Sequence, residues 1–419
     1  MEIMAEKLST ESYKGVRDFY PEDMAIQQHI FDTWAKSAES FGFQRYDASV
    51  LEPSELYKSK GAENEELVNE QTYTFIDRGE REVTLRPEMT PTVARMIAGR
   101  AKELSFPARW YSIPNLFRYE RAQRGRVREH WQLNCDIFGS FGISADAEII
   151  ALAHQTLINF GARPEMFEVR VNDRREMKDF YNSLGVIDEE VITKVTRIND
   201  RFHKMDRAEY MNELRQIVPG AAEAVLEFIE KSHESSNEVT RALNHIGITN
   251  VKIDRSLARG FDYYTGTIFE IFDTDPKNNR SMLGGGRYDN LTELFGGEAI
   301  GGIGFGMGDV TMRDFLESHD LLPRLAASAT IVVIPTEQKL SIEASAAAMV
   351  FRRAGVSAVV DTSTKKLGKK IAAADHSGSS YILIVGEDEV AREEYVIKNL
   401  ADGTEMSGTL ERLAESLSG

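Results

Sequence analysis

Residues 109–139 read R-W-Y-S-I-P-N-L-F-R-Y-E-R-A-Q-R-G-R-V-R-E-H-W-Q-L-N-C-D-I-F-G. In the second half, His130, Gln132, Asn134 and Asp136 alternate with Trp131, Leu133, Cys135 and Ile137. A period of two belongs to a strand with one polar and one apolar face. In the first half Arg118 and Glu120 share a face, with Phe117 and Tyr119 behind them. The polar loop at 122–127 contains Gly125, so the two segments form an antiparallel hairpin. Arg109, Arg118, Arg121, Arg124, Arg126 and Arg128 crowd this hairpin, and within 109–128 only Glu120 opposes them. Arginine forks match phosphate oxygens and are always charged. A solvated, charge-protected strand edge is the alternative. The amide and carboxylate on the polar strand face favour a pocket wall.

The chain as a whole is acidic, with a formal net charge of −17 over 419 residues. That field argues against sequence-blind coating of nucleic acid and leaves room for a local basic grip. The length allows two or three domains. No apolar run approaches the roughly 18 residues that span a bilayer, and residues 1–10 have no apolar signal core, so a cytoplasmic location is the reading. The single cysteine, Cys135, lies on the apolar side of its strand and reads as a small buried hydrophobe.

Upstream, Ile30, Trp34, Ala38 and Phe41 recur at helical spacing and Gly42 follows as a stop. Residues 43–51 are strand-like. Two alternating runs, 72–76 and 82–85, flank Asp77-Arg78-Gly79 as a second hairpin. Two prolines then fix the backbone where Glu88 and Thr90 emerge, before a helix over 92–103. Downstream, a helix over 145–160 leads into a charged, mostly helical block at 165–250 that reads as an insertion. Strand periodicity returns over 253–272. Gly284, Gly285 and Gly286 precede an expected helix carrying Arg287, Tyr288 and Asp289, where either phosphate binding or a tight turn accounts for the glycines. Seven glycines between 296 and 308 imply close approach by a ligand or another backbone. Beyond Leu322-Pro323 strands and helices alternate, as in a small α/β domain with a mixed sheet. Lys365, Lys366, Lys369 and Lys370 share one expected helical face, most simply a solvated one.

Several of these segments resemble one family. F-R-Y-E-R with the following R-x-R and W-Q-L-N-C-D-I-F-G resembles the second signature motif of class II aminoacyl-tRNA synthetases. L-A-R-G-F-D-Y-Y resembles a segment particular to the histidyl-tRNA synthetases, supported by T-L-R-P-E-M-T and G-G-G-R-Y-D. The resemblance implies an α+β fold: an antiparallel sheet flanked by helices, a helical insertion and a C-terminal α/β domain that binds the anticodon. It divides the chain into a catalytic domain at 1–325 and an anticodon-binding domain at 326–419. It also implies a homodimer, L-histidine, tRNA(His) and ATP as substrates, and Mg²⁺ bound with ATP.

By resemblance, Arg118 holds the α-phosphate of ATP, Glu120 lies near the adenine amino group, and Arg126 reaches the outer phosphates. Glu88, Thr90 and Gln132 surround the histidine amino group. Asp136 and Tyr264 contact the imidazole, with Tyr263 beside them, and Arg259 replaces a metal ion on the α-phosphate. Three positions depart from the family pattern. Asp136 stands where many bacterial members have Glu, and Ser49 where the first motif has Pro. Thr311 stands where the third motif has an arginine, and Arg313 lies about 200° further round a helix. The competing reading is a non-catalytic relative, the regulatory subunit of ATP phosphoribosyltransferase, which Thr311 favours. Arg118, Arg259 and the α/β tail favour the synthetase.

Overall fold

The quoted stretch supplies three strands of one sheet in the computed structural model, which describes residues 8–58, 71–120, 126–232, 235–258, 263–278, 280–323 and 329–418. In chain order the strands are β1 (Gln44–Arg45), β2 (Leu51–Pro53), β3 (Tyr73–Ile76), β4 (Glu82–Leu85), β5 (Ala108–Ser112) and β6 (Asn115–Phe117). Then come β7 (Glu129–Phe138), β8 (Phe167–Asp173), β9 (Val251–Ile253), β10 (Thr267–Asp273), β11 (Ser281–Arg287) and β12 (Gly302–Gly308). The large sheet runs β1-β5-β7-β12-β11-β10-β8-β9, with β6 also paired to β7, and β2-β4-β3 form a small separate sheet. Pairing is antiparallel except at the two edges, β1 with β5 and β8 with β9. Strand 43–51 of the sequence reading shortens to β1 and β2, while the hairpin across Asp77-Arg78-Gly79 forms as β3 and β4.

One face of the large sheet is apolar throughout. Leu133, Cys135 and Ile137 of β7, Ile303, Phe305 and Met307 of β12 and Val169 and Val171 of β8 all point into a single core. The helices Pro21–Ser40, Ile143–Asn159 and Asp309–Ser318 cover it, contributing Trp34, Leu157 and Phe315. The first of these helices starts with Pro21 and carries Glu22 and Asp23 in its first turn, where a pre-set φ and negative charge suit the orphan N–H groups. Burying side chains of this size contributes roughly 1.5–3 kcal/mol each, so this face has no spare room for chemistry.

The opposite face carries polar residues and glycines beside a second, smaller apolar cluster that includes Phe138 and Ile268. Gln132, Asn134 and Asp136 alternate out of β7, and Gly304 and Gly306 of β12 lie directly across from Asp136 and Asn134. Gly284 and Gly286 of β11 continue the same rows. The glycine triplet therefore sits inside a strand, and neither the expected helix start nor a tight turn occurs there. Contact across the sheet is the reason: a Cβ on Gly285 would lie 2.0 Å from the Gly304 carbonyl oxygen.

The block at 165–250 is helical for the most part, with one correction. Helices Arg174–Ser183, Glu189–Asn199, Arg207–Ile217 and Ala222–Glu230 enclose their own core of Tyr181, Val195, Tyr210, Leu214 and Leu226. Side chains of Asp173, Asp188 and Asp206 cap three of them. The block begins, however, with β8, a strand of the large sheet, and its last helix, Glu238–His245, adds Val239 and Leu243 to the main core. Charge on alternate residues of F-E-V-R-V-N-D masked a half-buried strand.

By backbone contacts the chain forms two units, Met1–Pro323 and Arg324–Gly419. The second unit has strands β13 (Ile331–Pro335), β14 (Ala358–Val360), β15 (Tyr381–Val385), β16 (Tyr395–Asn399) and β17 (Glu405–Gly408) in the order β14-β13-β15-β16-β17. The sheet is mixed: β13 is parallel to β14 and β15, and β16 is antiparallel to both neighbours. The expected lysine face is broken. The helix starts at Leu367, after Lys365 and Lys366, and Lys370 is turned inward, 3.4 Å from the Pro335 carbonyl and near Asp361. Among the described residues no helix is long and apolar enough to cross a membrane.

Candidate functional site

Two cavities open on the polar, glycine-rich part of the second face of the large sheet and share Arg118, Gln132, Gly284 and Gly306 as walls. The inner one, about 110 Å³, is bounded by Glu88, Thr90, Asn134, Tyr263, Tyr264 and Tyr288 among others. The outer one, about 780 Å³, takes Glu120, Arg126, His130, Arg280 and Lys204. The larger volume falls in the range of sites that enclose a nucleotide-sized ligand, and the smaller suits a single polar side chain.

Eight of the ten residues picked out in the sequence line these two cavities: Glu88, Thr90, Arg118, Glu120, Arg126, Gln132, Tyr263 and Tyr264. They come from the start of a helix, one strand and three loops, spread over 177 positions from Glu88 to Tyr264 counted inclusively. Arg259 lies outside the described residues, as do Arg121, Arg124 and most of the 122–127 loop. Ala258 and Tyr263, the nearest described neighbours of Arg259, are both buried.

Asp136 is placed differently from the direct imidazole contact that the resemblance implies. It is buried one layer behind the cavity wall and accepts a short hydrogen bond from the Tyr288 hydroxyl. Tyr288 is the group that faces the inner cavity. Gly304 makes the pairing feasible, since a Cβ there would lie 2.2 Å from Asp136 Oδ1 and 2.8 Å from the Tyr288 hydroxyl. Asp136 Oδ2 has no hydrogen-bond partner among the described residues. Burial pushes this carboxyl up to about 7, although the Tyr288 hydrogen bond pulls the other way. Sequence reasoning missed Tyr288; its place after the glycine strand in G-G-G-R-Y-D was the available signal.

The Asp136 environment gives a stability prediction. The folded chain keeps a proton on Asp136 that the unfolded chain loses above about 3.8. Folding stability therefore falls as pH rises from about 4 to about 7. The size is on the order of 2–4 kcal/mol, at about 1.4 kcal/mol per pH unit. Asp136→Asn removes this component. Urea unfolding at pH 5.0 and 7.5, read against the general trend, should show a smaller decline for the variant; parallel declines would remove the buried acid from the argument.

Around the rim the charges are fixed in place. Arg118 Nε donates to the Pro87 carbonyl at 2.9 Å, which leaves its two terminal nitrogens without a protein partner among the described residues. Glu120 is nearly buried and lies 3.3 Å from Arg126, an ion pair without a well-formed hydrogen bond. Arg128 stacks on Tyr119 at 4.1 Å and donates to the Glu120 carbonyl, bracing the strand end. Burial, with Arg118 and Arg17 nearby, pushes the His130 ring down to about 3, so it is neutral near pH 7. Asp309 is fully buried and accepts from Arg17 at 2.8 Å, from Gln27 at 2.9 Å and from the Trp131 N–H at 3.1 Å. It pins the N-terminal segment and β7 to the helix behind the site. Thr311 lines the outer cavity and donates to the Met282 carbonyl at 2.9 Å. Arg313 is held by Asp23 and Glu317, away from both cavities.

Such a site positions rather than attacks. Among the described residues it offers no activated cysteine, since Cys135 is buried and burial raises its thiol. Its carboxylates and phenols suit a cationic or N–H-bearing ligand in the inner cavity, and its arginines suit an anion in the outer one.

Comparison with known proteins gives matches over nearly the whole chain. The family profile described as histidyl-tRNA synthetase matches residues 15–309, and that described as anticodon binding domain matches 330–419. The chain is 40% identical to a histidine–tRNA ligase of Leptospira biflexa, with 99% of each chain covered. It is 37% identical to a histidine–tRNA ligase of Thermoplasma volcanium, covering 96% of this chain and 97% of the other. Its fold matches the crystal structure of the histidyl-tRNA synthetase from Nostoc sp. PCC 7120 with a TM-score of 0.80 at 25% identity, over 98% and 99% of the two chains.

Proposed function

We infer how the two cavities work from one premise: the chain belongs to the histidyl-tRNA synthetase family and is a histidine–tRNA ligase, charging tRNA with histidine at the expense of ATP. The observation that carries the assignment of parts is the shared wall. Arg118 and Gln132 border both cavities, so a ligand in the inner one and a ligand in the outer one meet at Arg118.

Histidine occupies the inner cavity. Glu88, which accepts from the Tyr263 hydroxyl at 3.2 Å, takes the α-ammonium group together with Thr90 and Gln132. Tyr264 and Tyr288 face the imidazole, and Asp136 acts on the ring through the Tyr288 hydroxyl. An isostere lacking ring nitrogens would leave these buried polar groups unpaired, which discriminates far better than shape does. ATP occupies the outer cavity, with Glu120 near the adenine amino group, Arg126 toward the outer phosphates and Mg²⁺ carried with the nucleotide.

The histidine carboxylate attacks the α-phosphorus, the bond to the β-phosphate oxygen breaks, and pyrophosphate leaves. Arg118 holds the α-phosphate oxygens while charge builds on them, and Arg259 is assigned the opposite side of the same phosphorus. No side chain needs to form a covalent bond, so orientation and charge stabilisation supply the rate. A terminal ribose hydroxyl of tRNA(His) then attacks the histidyl carbonyl and releases AMP. The second unit is assigned to the anticodon, and the active assembly to a homodimer in the cytoplasm.

Histidine-dependent exchange of labelled pyrophosphate into ATP, run with each of the twenty amino acids, tests this reading. Histidine alone should support exchange, and tRNA(His) should become charged. A folded chain that binds histidine and gives no exchange would instead be a histidine sensor of the regulatory type.

A further inference from the structure

The outer cavity holds more positive charge than the α-phosphate requires. Four cationic side chains line it: Arg118, Arg126, Lys204 and Arg280. Arg118 stands at the border with the inner cavity, and Arg126 is paired with Glu120. The side chains of Arg280 and Lys204 have no hydrogen-bond or ion-pair partner among the described residues, although both reach the cleft.

The part of the wall that a helix supplies is uncharged. The helix Asp309–Ser318 presents Val310 and Thr311 to the cavity. Its arginine, Arg313, is committed to Asp23 at 3.0 Å and Glu317 at 2.9 Å. Thr311 in turn hydrogen-bonds the Met282 carbonyl, and Arg280 is two residues before Met282 at the same strand end. The strand end that anchors this helix therefore also delivers a guanidinium to the stretch of wall that the helix leaves uncharged. Asp200 and Glu270 line the same cleft, so its lining carries both signs of charge.

We propose that Arg280, with Lys204 of the helical insertion as a second cation, binds the β- and γ-phosphates of ATP and holds the pyrophosphate as it leaves. This rests on the reading that places the α-phosphate at Arg118. As the histidine carboxylate oxygen bonds to the α-phosphorus, the electron pair of the breaking bond moves onto the β-phosphate oxygen. A planar fork at that position stabilises the new charge without moving a proton, since an arginine stays protonated throughout.

Two ligands separate this role from any contribution to the fold or to the α-phosphate. ATP and pyrophosphate both carry the outer phosphates, whereas a non-hydrolysable histidyl-adenylate analogue has only the α-phosphate. Arg280→Ala in the full-length chain should raise the KM for ATP in the exchange reaction by about 10- to 100-fold, the range of one lost charge-assisted contact. The KM for pyrophosphate in the reverse reaction should rise to match, and affinity for the analogue should change by less than about 3-fold, within the scatter of a surface substitution. Arg280→Lys keeps the charge but not the fork and should fall between Arg280→Ala and the unaltered chain. An equal loss of analogue affinity, or unchanged KM values for ATP and pyrophosphate, would overturn the assignment. Absence of histidine-dependent exchange in the unaltered chain would instead remove the reading of the whole site.

Discussion

Arg118→Ala is expected to lower histidine-dependent pyrophosphate exchange by about 100- to 1000-fold, the range seen when one preorganised charge donor is removed from a developing anion. The loss should fall mainly on kcat, because the terminal nitrogens of Arg118 are most valuable when charge on the α-phosphate is greatest. Stability should change little. Arg118 is only half-buried and makes one side-chain hydrogen bond among the described residues, to the Pro87 carbonyl; losing that bond costs about 1 kcal/mol. Arg118→Lys should recover little, since a point charge cannot hold two phosphate oxygens and the Pro87 carbonyl at once. Exchange kinetics with a urea midpoint on the same preparation decide it. A loss below about 10-fold, less than the 10²–10³ range of such donors, would move Arg118 out of the catalytic machinery.

Arg287→Met should be the most destabilising single change in the first unit, by about 3–5 kcal/mol. Arg287 and Asp146 are 1% and 0% exposed and form a short ion pair. Arg287 also donates to the Ser140 carbonyl at 2.7 Å and to Asp289 at 2.8 Å, and Thr267 donates to Asp146 at 2.6 Å. Removing the guanidinium leaves a core carboxylate with only the Thr267 hydroxyl to bond it and takes the arginine donor from the Ser140 and Gly142 carbonyls, so most of the desolvation cost of those groups has nothing to offset it. The residue next in sequence is Tyr288, so loosening should also raise the KM for histidine. Arg287→Met combined with Asp146→Leu should regain part of the stability, because the stranded charge is gone. Denaturant unfolding of the single and double variants measures both effects. A single-variant loss below about 1 kcal/mol, the scale of an exposed pair, would show that water reaches the pair.

Much of the fold can be read from local pattern. Alternation in H-W-Q-L-N-C-D-I-F marks β7 and its two faces because a strand repeats every two residues wherever it lies. The hairpin across Asp77-Arg78-Gly79 is legible for the same reason, the helix carrying Ile30, Trp34 and Ala38 by its 3.6-residue spacing, and the strand-helix alternation after Pro323 by the switch between the two periods. The misreadings share another cause. Gly284, Gly285 and Gly286 fit a turn or a helix start equally well on paper, and only the backbone of β12 lying against them makes them a strand. In β8, charges at alternate positions looked like a solvated helix until the neighbouring strand buried the residues between them. Lys370 read as part of a solvated row, yet the Pro335 carbonyl and Asp361 draw it inward.

What the sequence by itself determined is the inventory: a cationic hairpin, a polar strand face, family motifs and an α/β tail. Each is a matter of spacing or residue type within a short window. Tertiary structure alone decided which of those groups touch. Asp136 meets Tyr288 across 152 positions and Arg287 meets Asp146 across 141, through strands that become neighbours only when the sheet closes. Contacts of that kind depend on register and on the burial of surrounding apolar surface, and no local periodicity encodes either.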